Sequence, residues 1–166
     1  MILSLPEAFD ANEWYLVGAT AVGFAALVPL RRTFTRLEMC AMWLFNIFLA
    51  HFADFTLAGE PFDMYDINDS PHYGLFDMLM YLVTYPPPCI AVCGIYARLN
   101  PRPWGVVLLI AAASAISAGL EWTAAEAGVY HYKGWRLEWS AAVYLLAFAA
   151  NLAYFRWVRA AERPSG

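Results

Sequence analysis

Three carboxylates, Asp54, Asp77 and Glu121, stand inside stretches of sequence that are otherwise apolar. An ionisable group at membrane depth is costly, and it marks a functional site by default. His51 precedes Asp54 by one helical turn, so the two share a face. Acids held at one level in a low-dielectric setting repel one another, and at least one is expected to keep its proton or to be neutralised by a cation or a histidine. The chemistries open to such a set are a shared proton, a cationic ligand, a metal or acid–base catalysis. Asp54, Asp77, Glu121 and His51 are the candidates for catalysis. The same four residues make the candidate metal set, since imidazole with carboxylate suits zinc or manganese, although no compact motif such as H-E-x-x-H is present.

The surroundings of these residues define the medium. Apolar residues make up 61% of the 166-residue chain and charged residues only 14%, against about a quarter charged in soluble domains. An integral membrane protein is implied, an all-α polytopic bundle forming one domain over residues 1–166. Five runs are long enough to cross a hydrocarbon core of about 30 Å: 14–30, 37–58, 74–99, 104–130 and 137–158. Arginines cluster after the first run, after the third and at the end, whereas Lys133 and Arg136 fall on the opposite side. That bias predicts the N-terminus outside and the C-terminus in the cytoplasm of a bacterial inner (plasma) membrane. Trp14, Trp135 and Trp139 fit the outer interface, and Trp104 and Trp157 the inner one. The N-terminal segment lacks the basic region of a signal peptide, so the first run is expected to be retained. A net charge of −4, spread along the chain, excludes a nucleic-acid-binding face.

Because successive runs alternate in direction, residues distant in sequence can be compared for depth. Asp54 and Glu121 each lie 17 residues beyond the inner start of their runs, Leu37 and Trp104, or about 25 Å up. Asp77 lies near the outer start of the third run, about 5 Å below the outer boundary, so all three acids share the outer leaflet. Helical spacing sets further polar groups beside them: Asp77, Tyr81 and Tyr85 on the third run, Ser114, Ser117 and Glu121 on the fourth, Ser140, Tyr144 and Asn151 on the fifth. Asp54, Asp77, Tyr81, Tyr85, Glu121 and Tyr144 are therefore the candidate ligand-binding residues. Ser114, Ser117, Ser140, Asn46 and Asn151 read as interhelical glue. The first run has few polar groups and reads as a peripheral helix facing lipid.

Pro86, Pro87 and Pro88 interrupt the third run and leave the carbonyls of Leu82, Val83 and Thr84 without their usual donors. Either the helix kinks, or it divides into two halves with the inner one beginning near Thr84. Cys40, Cys89 and Cys93 read as small packing residues. His72 and His131 are expected on the outer side with His51. Asp63, Asp66 and Asp69 do not match the intervals of a calcium loop and read as a solvated turn. The aromatic residues Tyr65, His72 and Tyr73 would let that loop close over the pocket.

The order D-I-N-D-S-P-H-Y, then F-D-M-L-M-Y-L-V-T-Y-P-P, then G-L-E-W and Y-H-Y-K-G-W before a last apolar run resembles a family of small uncharacterised multi-pass membrane proteins of spore-forming Gram-positive bacteria. The matching positions are Asp77, Tyr81, Tyr85, Pro86, Glu121, Tyr132 and Trp135, over the second to fifth runs. The resemblance implies the same topology and the same residues of interest, and it carries no activity or cofactor.

The expected function is a small binding, sensory or transport-related module with an acidic intramembrane pocket near the outer face. Its partners would be the lipid bilayer and a lipid or small-molecule ligand. An intramembrane acid–base or metal-assisted enzyme acting on a lipid or isoprenoid is one alternative, and a structural subunit of a membrane complex or homo-oligomer is another.

Overall fold

In the computed structural model, which describes residues 8–68 and 73–162, five helical runs are long and apolar enough to cross a membrane. Asp69, His72 and Arg163, on which the sequence reading drew, lie outside the described residues. The first run is α1 (Ala11–Leu27), extended by a 3₁₀ turn over Val28–Thr33. The second is α2 (Arg36–Leu57). Strand β1 (Tyr65–Ile67) precedes the third run, which consists of α3 (Leu75–Leu79), a π turn (Met80–Thr84) and α4 (Pro86–Leu99). Then come α5 (Pro103–Glu126), strand β2 (Tyr130–Tyr132) and α6 (Leu137–Glu162).

Local chemistry sets these boundaries. Glu13 and Glu38 each reach back to the backbone N–H three residues earlier, of Asp10 and Thr35, closing the first turns of α1 and α2. Asn100, in the left-handed region at φ 42°, stops α4 just before Pro101. The fourth run ends earlier than expected, at Glu126 instead of Tyr130. Gly128 takes φ +83° there, Val129 N–H donates to the Ala124 carbonyl and Gly128 N–H to that of Ala125, a Schellman stop that the A-E-A-G-V segment spells out. Val129 and Ala124 are both buried against each other's cluster, completing the apolar contact of that motif.

Released from the helix, Tyr130–Tyr132 pairs antiparallel with Tyr65–Ile67, setting Tyr65 opposite Tyr132 and Ile67 opposite Tyr130. This ribbon is an addition to the all-α expectation. The proline break also takes a definite form. Tyr85 N–H reaches the Met80 carbonyl five residues back, and the three prolines occupy the first turn of α4, where no N–H is needed. The Trp43 indole N–H supplies a donor to the stranded Leu82 carbonyl at 2.9 Å.

The third run lies at the centre, packed on α1, α2, α5 and α6. The first run is less peripheral than the sequence suggested. Its outer residues Trp14, Val17 and Val22 are exposed, but Leu16, Gly23 and Leu27 are buried. A Cβ on Gly23 would stand 3.1 Å from Pro88 Cδ, so the small residue allows α1 to approach the proline turn. Thr20 and Thr84 join hydroxyls at 2.6 Å across the same contact.

The two ends of the bundle differ in charge. At the end where α1 and α6 finish and α2 begins lie Arg31, Arg32, Arg36, Arg98, Arg102, Arg156 and Arg159, with Glu38 and Glu162 as the acids. Glu38 is fully buried and held by the Arg159 guanidinium, Nε to Oε1 at 2.6 Å and Nη2 to Oε2 at 2.9 Å. Asp54, Asp77 and Glu121 lie toward the other end.

Candidate functional site

Asp54, in the last turn of α2, accepts a hydrogen bond on Oδ1 from the Tyr65 hydroxyl at 2.5 Å. Tyr81 lies beside the same carboxylate, yet Oδ2 is buried and has no hydrogen-bond partner among the described residues. Burial first, and the nearby Asp54 charge second, hold the Tyr65 phenol well above its ordinary pKa, so it stays a donor.

Glu121, on α5, is the most thoroughly engaged of the three. The Tyr132 and Ser140 hydroxyls meet Oε1 and the Tyr144 hydroxyl meets Oε2, all at 2.6 Å. The Trp135 indole N–H, which can only donate, reaches Ser140 Oγ at 2.7 Å. Ser140 must therefore accept from Trp135 and turn its single proton to Glu121. Ser140, expected as interhelical glue, is instead a ligand of the acid. Tyr132 is half exposed, and burial followed by its bond to Glu121 raises its pKa too.

Asp77 does something more local. Its Oδ2 accepts from the Gly74 N–H at 2.7 Å and its Oδ1 from Asn68 Nδ2, so it caps the start of α3 and ties the β1 strand end to it. Tyr81, one turn on, neighbours both Asp77 and Asp54. The Tyr81 ring lies 4.0 Å from that of His51 and stacks near Tyr73.

His51 Nδ1 faces the Ile47 carbonyl at 2.8 Å and Nε2 faces the Tyr73 hydroxyl at 3.3 Å. A carbonyl only accepts, so the proton sits on Nδ1, and a neutral ring would take the Tyr73 hydrogen on Nε2. Tyr85 and Tyr130 join hydroxyls at 2.6 Å between the proline turn and β2. Burial, then the Asp54 charge, pushes the Tyr130 phenol well above its usual range.

The fold thus brings Asp54, Tyr81, Tyr85, Glu121 and Tyr144 into one phenol-rich region, with Glu121 among the charges that act on Asp54. Among the described residues no hydrogen bond joins the acids to one another: Asp77 and Glu121 are held on both oxygens by their own donors, and Asp54 is held on Oδ1 by Tyr65. For the same reason His51, Asp54, Asp77 and Glu121 do not form the metal set expected of them. Among the described residues no group of three or more histidines, cysteines or acids is placed to share an ion. His131 is exposed on the ribbon opposite Asp66.

Tyr65, Asn68 and Ser140 were not marked by the sequence as acid ligands. Their signal was weak, since two of them lie in short loop or strand segments with no helical period. Where glue was expected, two of the contacts are glue: Asn46 Nδ2 donates to Asn151 Oδ1 at 2.8 Å between α2 and α6, and Ser114 donates to the Ala141 carbonyl. All three cysteines are free thiols. Asp63 and Asp66 pair with Lys133 at 2.8 and 2.9 Å in an exposed turn, as a solvated loop would.

Two grooves are lined elsewhere. One of about 180 Å³ separates α1 from the π turn, and one of about 760 Å³ lies between the ends of α4 and α6. Neither is lined by Asp54, Asp77 or Glu121. No protein-family model, curated protein or solved structure matches this chain.

Proposed function

We propose that this chain is a multi-pass protein of the bacterial inner (plasma) membrane, N-terminus outside and C-terminus cytoplasmic, that acts as a small binding, sensory or transport-related module. The arginine-rich end supports the orientation, because basic residues gather on the cytoplasmic side. One observation carries the binding role. Of the six carboxylate oxygens of Asp54, Asp77 and Glu121, five accept hydrogen bonds, and among the described residues Asp54 Oδ2 alone is buried without one. A buried acceptor left open calls for a donor or a cation. The phenols of Tyr65, Tyr81 and Tyr130 around it would supply oxygen lone pairs and aromatic faces, a combination that suits a small cation or a protonated amine.

The resemblance to small membrane proteins of spore-forming bacteria belongs with this reading, since its positions Tyr81, Tyr85 and Glu121 fall in the same region. A structural subunit is the second reading, and the saturation of Glu121 and Asp77 by internal donors favours it.

Thermal unfolding of the detergent-solubilised protein, titrated with sodium, potassium, ammonium or methylammonium, separates the two. The expected result is a saturable rise in Tm with at least one of these cations, lost in Asp54→Asn. Equal behaviour of wild type and Asp54→Asn with all four would leave the subunit reading.

A further inference from the structure

The larger groove lies at the opposite end of the bundle from the acids. It is walled by Tyr96, Ala97 and Asn100 at the end of α4 and by the last turns of α6. Ala153, Arg156, Trp157 and Ala160 follow one another at helical spacing, so a single outer face of α6 forms one wall. The chemistry changes along it. Ala97 and Ala153 leave a shallow apolar channel, Tyr96 and Trp157 carry amphipathic rings of the kind found at headgroup level, and two guanidinium groups lie beyond.

The two arginines are unlike in their freedom. Arg159 is fixed: Nε and Nη2 are committed to Glu38, Nη2 also donates to the Thr33 carbonyl, and the guanidinium lies 4.3 Å over the Phe155 ring. Among the described residues its Nη1 takes no hydrogen-bond partner. Arg156 is exposed and forms no ion pair among the described residues. An orientated guanidinium edge beside a free one, above an apolar channel and next to interfacial aromatics, is complementary to a phosphate diester carrying acyl chains. Basic pockets between helices at a cytoplasmic face are suited to anionic lipids, and the groove volume falls within the range of about 300–1,000 Å³ typical of ligand clefts.

We infer that the groove between α4 and α6 is a binding site for one anionic glycerophospholipid, its phosphate held by Arg156 and Arg159 Nη1 and an acyl chain lying along Ala97 and Ala153. The site is separate from the Asp54 region and does not depend on the function proposed there.

The test uses the full chain in nanodiscs of phosphatidylcholine and phosphatidylglycerol at equal amounts, released into native mass spectrometry. The wild type should retain one phosphatidylglycerol in preference to phosphatidylcholine. Arg156→Gln leaves the Glu38 clasp intact and should weaken that preference by at least about fivefold. Ala153→Trp fills the channel without altering charge and should abolish retention. Helical content and elution volume establish that both variants are folded, and Arg156→Lys replaces Arg156→Gln if the latter is not. Equal retention of the two lipids by the wild type would overturn the proposal, as would full retention by Ala153→Trp, which signifies only general attraction to a basic surface. Displacement of the lipid by inorganic phosphate alone would also overturn it, because the acyl channel would then contribute nothing.

Discussion

The Tyr65 hydroxyl donates to Asp54 Oδ1 across 2.5 Å and so latches strand β1 to the end of α2. Among the described residues no donor meets the other oxygen, Oδ2. Tyr65→Phe takes this donor from Oδ1 of a buried acid, at a cost of about 1–3 kcal/mol. Thermal unfolding in detergent should show that loss, and Asp54→Asn combined with Tyr65→Phe should lose less than the two single changes added together. Strict additivity of the two changes would mean that the latch carries no energy.

Glu38 and Arg159 are 121 positions apart and bind through two charge-assisted bonds. Arg159→Met takes the guanidinium from a fully buried carboxylate and is expected to destabilise by about 3–5 kcal/mol. Glu38→Met with Arg159→Met should recover most of that, since a buried pair can often be replaced by apolar side chains of similar volume. Denaturant melts of the three variants provide the comparison, and a double variant as unstable as Arg159→Met alone would contradict it.

Gly128 stands at φ +83°, with open space where a Cβ would be. Gly128→Ala therefore meets no steric contact and costs only the left-handed conformation, about 1–2 kcal/mol. Gly128→Asn should cost less than Gly128→Ala, because asparagine tolerates that region. Hydrogen exchange at Val129 N–H reports the stop directly. If the three proteins exchange alike at that amide, the Schellman bond does not hold the end of α5.

Tyr65 and Tyr132 have raised pKa values, each from burial first and then from a neighbouring acid, and Lys133 is raised by its bonds to Asp63 and Asp66. All three groups lie above their unfolded values. The stabilisation they contribute is complete below about pH 10 and is lost as pH climbs toward the folded values. Ultraviolet absorbance of phenolate, followed with circular dichroism, should show these two tyrosines ionising together with loss of the ribbon. Ionisation of every tyrosine near pH 10 with the structure intact would rule this out.

Gly23 sets a limit on how closely α1 can carry a side chain past the prolines. Gly23→Leu places a Cβ 3.1 Å from Pro88 Cδ and should cost about 1–3 kcal/mol through overpacking. Gly18→Leu, on a position with nothing within 4 Å, is the matched control for detergent melts and should be close to neutral.

By itself the sequence determined the five runs, because hydrophobic length is a local property and each run carries its own. It also determined the charge difference between the ends and the polar faces of the third, fourth and fifth runs, for helical period converts spacing into direction. Tertiary structure alone decided which donor each acid would meet. Tyr65 finds Asp54 through a strand pairing with Tyr130–Tyr132, and Glu38 finds Arg159 across the whole chain. Short strands and loops have no period to announce such pairings. Asp77 shows the same division: spacing set it on one helix face with Tyr81 and Tyr85, but its Gly74 and Asn68 bonds tie it to its own helix start. A hydrogen bond is satisfied by whichever donor the folded chain brings within about 3 Å, and only the packed arrangement of helices and ribbon selects that donor.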